Sequence, residues 1–166
     1  MIYAKSETIE SLKEHTNKLI KNYHILKESY GFKLRNEKMW DILMIAAQYH
    51  DAGKIYCQFQ NKIIDIINKK YKLAIHEVKQ IVNYDVPHNY LSPAFLPHYE
   101  NLGLTKDEFR VLVQSIAYHH EREQEPDTLK IREIIEKDLM NKIEDIRNEL
   151  SVEIPDKLNS LYTAAI

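Results

Sequence analysis

Apolar residues recur at spacings of three and four along most of this chain, which is the period of an α-helix that buries one face. The first such stripe ends at Gly31 and consists of Ile9, Leu12, Thr16, Leu19, Tyr23 and Leu26. Only three glycines and five prolines interrupt the 166 residues, a composition that favours helices over sheets. We therefore predict an all-α fold, a single helical bundle without internal repeats or a domain boundary.

The points where this period is interrupted give the boundaries of the predicted helices. The predicted helices are Thr8–Tyr30, Glu37–His50, a third after Gly53 through Ile67, His76–Val82, a short one from His88 that is interrupted at Pro97, one from the Thr105–Glu108 capping box, Thr128–Leu150, and the beginning of one at Leu158–Ile166. Because Pro87 cannot continue a helix and disfavours one at Val86, we predict a loop at Asn83–Pro87.

Composition narrows the possible functions. No apolar run approaches the ~20 residues of a membrane helix, and the N-terminus lacks the layout of a signal peptide. The single cysteine, Cys57, rules out an internal disulfide and fits a cytoplasmic location. The net charge is −2, but residues 54–80 carry six lysines against two acids. That segment either attracts phosphates or forms an ordinary solvated helix face.

Histidines at four positions share an unusual placement. They lie on the inner faces or at the ends of separate predicted helices: His15, His50 beside Asp51, His88, and His119 with His120. A single histidine on an apolar face is usually a structural residue, but burying several with a carboxylate costs a few kcal/mol per unpartnered group. A shared cation removes that cost. The remaining histidines, His24, His76 and His98, lack this placement.

Imidazoles combined with a carboxylate suit Mn, Fe, Co, Ni or Zn better than Ca, which prefers oxygen ligands. Five imidazoles and one carboxylate exceed the ligands of a four-coordinate zinc site, so the count indicates two ions bridged by Asp51. Such a pair suits the hydrolysis of phosphate esters. We predict Lys54 at the rim, either stabilising phosphoryl charge or as an ordinary exposed lysine.

Four motifs around these histidines resemble the HD superfamily of metal-dependent phosphohydrolases. "HDAGK" followed by "FQ" is most similar to the HD nuclease domain of the CRISPR-associated type I helicase-nuclease. "LKEHTNKLI" resembles the opening helix of that family, "PHNYLSPAF" its middle histidine, and "IAYHHERE" its paired histidines. The motifs follow the order of the family and span residues 12–123.

The resemblance implies an HD-type bundle over residues 1–166 with two ligand sets: His15, His50 and Asp51 for one metal, and His88, His119 and His120 for the other, with Asp51 bridging. It also implies that Asp51 and Lys54 are catalytic, and that the ions are Mn, Fe, Co or Ni, with Zn or Mg as alternatives. It implies endo- or exonucleolytic cutting of single-stranded DNA in type I CRISPR interference. A guide-RNA surveillance complex and a helicase, fused or separate, would be the partners, and no membrane is involved.

One departure leaves alternatives open. The family has a further aspartate on a late helix, whereas the only acid here after Glu153 is Asp156, just past Pro155. We therefore expect the chain to end before that helix, or the ligand to be absent, with a weakened first metal site. Two other functions remain: hydrolysis of a small phosphate ester such as a nucleotide, and a non-catalytic HD scaffold.

Overall fold

The computed structural model describes residues 1–120 and 127–166, and within them the fold is all-α, as predicted. The described residues form seven helices, which are α1 Leu12–Tyr30, α2 Glu37–Tyr49, α3 Cys57–Tyr71, α4 His88–Leu91, α5 Lys106–Ala117, α6 Thr128–Lys137 and α7 Ile143–Glu149. Short 3-10 helices lie at Ala52–Ile55, Ser92–Phe95, Leu139–Lys142 and Leu161–Ala164. No helix in these described ranges is long and apolar enough to cross a bilayer.

The chain begins with a small antiparallel sheet rather than with the predicted helix from Thr8. Strands β1 (Tyr3–Lys5) and β2 (Glu10–Ser11) pair with Tyr3 opposite Ser11. Helix α1 starts only at Leu12 because Ser11 forms a capping box with Glu14, in which each side chain bonds to the backbone of the other residue. Just before the cap, Ile9 adopts a φ of 47°, a costly conformation for a β-branched residue.

Helices α2 and α5 follow the prediction closely. Helix α2 occupies Glu37–Tyr49, and the Thr105–Glu108 capping box begins α5, with the Glu108 amide donating to Thr105 Oγ1 over 3.3 Å. The loop at Asn83–Pro87 and the short helix from His88 are also confirmed. These elements keep their predicted ends because proline or a side-chain cap fixes each boundary locally.

The predicted helix at His76–Val82 is wrong, since residues 72–87 form no helix. Side chains of α3 provide the reason. The Asn68 amide bonds both the carbonyl and the amide of Ile75, over 2.8 and 2.9 Å, and Asn61 Oδ1 accepts from the Val78 amide over 2.7 Å. These backbone groups therefore bond to α3 instead of to a helical ladder.

The predicted long helix at Thr128–Leu150 is also wrong, because it breaks at Asp138. This carboxylate is fully buried, and its Oδ2 accepts from the Cys57 amide over 3.1 Å and from Lys142 Nζ over 2.9 Å. The break thus brings an anion to the N-terminus of α3, where the helix dipole favours it. At the C-terminus, the helix expected from Leu158 is reduced to the 3-10 turn Leu161–Ala164.

The core is continuous and surrounds α4, whose four residues are all buried. The largest fully buried side chains are Tyr56, Phe95, Leu12, Ile67, Leu91, Leu112, Ile116, Ile131, Ile134, Ile135, Leu139 and Ile146. The turn Ala52–Ile55 lies directly on α4 because Gly53 has no side chain and its amide donates to Ser92 Oγ over 2.9 Å. This contact joins the end of α2 to His88.

Candidate metal centre

A buried carboxylate, that of Asp51, lies at the centre of the predicted site. Asp51 follows α2 and is 2% exposed. Its Oδ2 atom lies 3.1 Å from His15 Nε2, 3.2 Å from His50 Nε2 and 2.8 Å from Lys54 Nζ. One oxygen of Asp51 thus contacts residues from α1, from the end of α2 and from the 3-10 turn that follows.

The other oxygen of Asp51 faces the remaining predicted ligands. Oδ1 lies 3.0 Å from Nε2 of His88, the first residue of α4, and 3.7 Å from Nε2 of His119, just after α5. His120 Nε2 lies 3.3 Å from His88 Nε2. The fold therefore brings all six predicted ligand residues together around one carboxylate.

Backbone carbonyls orient two of the imidazoles. His50 Nδ1 lies 2.9 Å from the Ala47 carbonyl, and His119 Nδ1 lies 2.7 Å from the Ile116 carbonyl, each one turn earlier in the chain. Because a carbonyl only accepts, Nδ1 of each ring carries the proton and donates it. Nε2 is then the ring nitrogen that faces Asp51, which is the arrangement found behind histidine ligands of metals.

The electrostatics of the cluster favour a cation. Burial raises the pKa of Asp51, but the hydrogen bond from His15 and the contacts with the other histidines outweigh it and hold that pKa well below its usual range. Burial lowers the pKa of His88 below its ordinary value and the pKa of His119 to about 4. At neutral pH, His119 Nε2 is therefore an unprotonated acceptor that faces an ionised oxygen. Two acceptors face each other favourably only with a positive ion between them.

The potential ligand atoms fall into two groups of three within the described part of the chain. His15, His50 and Asp51 form one group, and His88, His119 and His120 form the other; within each group the ligand atoms lie within 4.8 Å of one another. This division is the one that the resemblance implies. Nitrogen-rich sets with a carboxylate fit divalent transition metals, so the residues present suit such ions.

Lys54 is buried, which differs from its predicted place at the rim. It is 8% exposed, and its ammonium group also donates to the Ala4 carbonyl over 3.2 Å. The 3-10 turn explains this position, because it folds Lys54 back onto Asp51, three residues earlier. Lys54 therefore provides a buried positive charge beside the shared carboxylate.

Glu10 is a neighbour of the cluster that sequence reasoning missed. It is 6% exposed, and its Oε1 lies 3.5 Å from His15 Nδ1 and 3.2 Å from Lys18 Nζ. Burial raises the pKa of Glu10, but the hydrogen bond from Lys18 and the charges around it lower that pKa overall. The helical pattern gave no signal for Glu10, because its inward direction depends on the β2 strand and the turn at Ile9.

Residues set apart from the cluster in the sequence also lie apart from it in the structure. Asp156 is 95% exposed at its side chain and pairs with Arg147, so it does not replace the late aspartate. The side chains of His24, His76 and His98 are exposed. Glu121, Arg122 and Glu123, which end the "IAYHHERE" motif, lie outside the described residues.

A comparison with protein families identifies the family of this sequence. The family model described as "Cas3, HD domain" matches residues 7–161, which include every predicted ligand. The chain belongs to the Cas3 HD domain family. The likeness to HD nucleases is thereby confirmed, and a Cas3 HD domain is a metal-dependent hydrolase of the nuclease type. No curated protein and no solved structure gives a significant match.

Proposed function

We propose that this chain is a nuclease domain that cuts single-stranded DNA with two divalent metal ions, which Asp51 and the histidines around it would hold. The observation that carries the proposal is the contact of both Asp51 oxygens with imidazoles from four segments of the chain. His15 and His50 would hold one ion, and His88, His119 and His120 the other. Ions held there supply Lewis acidity, which lowers the pKa of water and neutralises phosphoryl charge.

The residues of the chain contribute orientation and charge. The bonds from His50 and His119 to backbone carbonyls keep both Nε2 atoms directed at Asp51, where they would face a metal ion. Lys54 is held beside Asp51 by the Ala4 carbonyl, and its ammonium group would stabilise negative charge on the scissile phosphate. Mn, Fe, Co and Ni suit the nitrogen-rich ligands best, with Zn or Mg as alternatives.

Family membership supports a place in type I CRISPR interference. In this proposal the domain spans residues 1–166 and cuts a strand that a guide-RNA surveillance complex displaces. A helicase, in the same polypeptide or in a separate one, delivers that strand to the site. DNA cleavage with no requirement for sequence fits a site built around phosphate chemistry.

Hydrolysis of a nucleotide is the second candidate function. A cleft of about 660 Å³ lies against His88 and His120, and a volume of this order accommodates a small ligand. The cleft is compatible with a mononucleotide as well as with one nucleotide of a longer strand. Parallel reactions with DNA and with nucleotides distinguish the two candidate functions.

Circular single-stranded DNA provides the deciding substrate. We expect the protein with Mn²⁺, Co²⁺ or Ni²⁺ to linearise the circles, and a chelator to stop the reaction because the ions leave the Asp51 site. Nucleotide monophosphates in a parallel reaction should release no phosphate. Phosphate release without cut DNA would instead support the nucleotide hydrolase. Cutting of linear strands but not of circles would indicate an exonuclease, and inertness toward circles, linear strands and nucleotides would support a non-catalytic scaffold.

A further inference from the structure

The cleft beside His88 and His120 is also lined by residues that have no role in the proposed chemistry. Its wall includes Gln58, Phe59 and Lys62 of α3, together with Asp85 from the loop that precedes α4. Because the cleft shares His88 and His120 with the second ligand group, anything bound in it lies next to a phosphate held at the metal centre. The position suits the nucleotide that adjoins the scissile bond.

Phe59 gives the cleft an aromatic surface with a fixed orientation. Its ring is half-buried and lies 4.8 Å from the His88 ring, centroid to centroid, with Lys54 Nζ at 5.7 Å. The neighbouring residue Gln60 anchors this turn of α3, since its amide bonds the Tyr3 backbone and donates to the Lys54 carbonyl over 2.7 Å. Aromatic surfaces held in this way are the platforms on which proteins stack single-stranded bases.

The charges at the mouth favour a base over a second phosphate. Lys62 is paired with Asp85 over 2.7 Å, so its charge is balanced by a carboxylate that would repel a phosphate. A nucleobase, in contrast, carries no formal charge and meets no such repulsion. The Gln58 side chain adds an amide, which offers both a donor and an acceptor to the edge of a base.

From this lining we infer that the cleft is a nucleobase subsite, in which the base next to the scissile phosphate stacks on Phe59. The inference rests on the proposed nuclease function and names how that site holds its substrate. Stacking on an aromatic ring is available to every base, so the subsite positions the strand without selecting a sequence. Phe59 is thus a positioning residue for the cut bond.

Abasic residues test the subsite. In a thymidine strand that carries one abasic residue, wild-type protein with Mn²⁺ should cut one phosphodiester, at a fixed offset from that residue, roughly tenfold less than in the intact strand. When the abasic residue is placed elsewhere in the strand, the poorly cut phosphodiester should shift by the same number of residues. Phe59→Leu should cut the intact strand more slowly and show no further decrease at that bond, whereas Phe59→Trp should retain the decrease.

Phe32→Leu is the matched control, because Phe32 is 67% exposed and does not line the cleft. It should cut the intact strand at the wild-type rate and show the same decrease at one phosphodiester of the abasic strand. Uniform cutting of abasic strands by wild-type protein, which requires no variant, would overturn the subsite alone. A full tenfold decrease in cutting at that phosphodiester by Phe59→Leu would do the same, since Phe59 would then have only a structural role. Wild-type protein that cuts no DNA with any metal would overturn the proposed function together with the subsite.

Discussion

Replacing Asp51 with asparagine is expected to remove metal binding and DNA cutting together, with activity lower by on the order of a thousandfold, or ~4 kcal/mol of transition-state stabilisation. The carboxylate is the only acid among the six predicted ligands and contacts both ligand groups. A neutral amide keeps the shape but loses the charge that bridging two cations requires. Calorimetric titration with Mn²⁺ and the cutting of circular DNA measure the two losses.

The control for this prediction must separate lost charge from lost folding. Asp51→Asn leaves the Lys54 ammonium buried without its carboxylate, which by itself is destabilising. The double variant Asp51→Asn with Lys54→Met removes that charge and should fold while still binding no metal. Asp156→Asn alters an exposed acid outside the cluster and should behave as wild type. Two bound Mn²⁺ ions in folded Asp51→Asn would contradict the bridging role.

Gly53→Ala is expected to lower the free energy of unfolding by about 3 kcal/mol, because an added Cβ overpacks a backbone contact that cannot yield. That Cβ would lie 2.1 Å from the His88 carbonyl and 2.8 Å from the Ser92 amide nitrogen. The turn Ala52–Ile55 must then move away from α4, which separates Asp51 from His88. Urea denaturation and a Mn²⁺ titration should therefore show lost stability and weakened metal binding in the same variant.

Gly103→Ala is the matched substitution. Gly103 has a φ of +64°, but among the described residues no atom beyond its chain neighbours lies within 4 Å of the point that a Cβ would occupy. Alanine there costs only the strain of a left-handed residue, ~1 kcal/mol. Metal binding should be unchanged. If Gly53→Ala matched Gly103→Ala in stability and bound Mn²⁺ like wild type, close packing of the turn on α4 would not determine the site.

The convergence of the predicted ligand residues was predictable because helical periodicity and local caps fix the directions of their side chains. His15 belongs to an apolar stripe, and the end of α2 and the cap of α5 set the directions of the histidines that follow these helices. Each of these signals depends on neighbours within a few residues. Tertiary packing then had only to bring four correctly directed segments together.

The features that sequence reasoning missed depend on distant parts of the chain. The apolar period of the predicted helix continues through Asp138, but the helix breaks there because the Asp138 carboxylate accepts a hydrogen bond from the Cys57 amide of α3. Lys54 is buried because its ammonium group donates a hydrogen bond to the Ala4 carbonyl of strand β1. Glu10 lies behind His15 only because a two-stranded sheet replaces the first turn of the predicted helix. None of these partners is visible in local periodicity.

Anomalous diffraction from crystals grown with Mn²⁺ tests the two-metal centre most directly. We expect two peaks about 3.5–4 Å apart, a weaker one beside His15 and His50 and a stronger one beside His88, His119 and His120, with Asp51 between them. A single peak bound by only one ligand group, or peaks that leave Asp51 bonded to Lys54 alone, would contradict a metal pair bridged by this carboxylate.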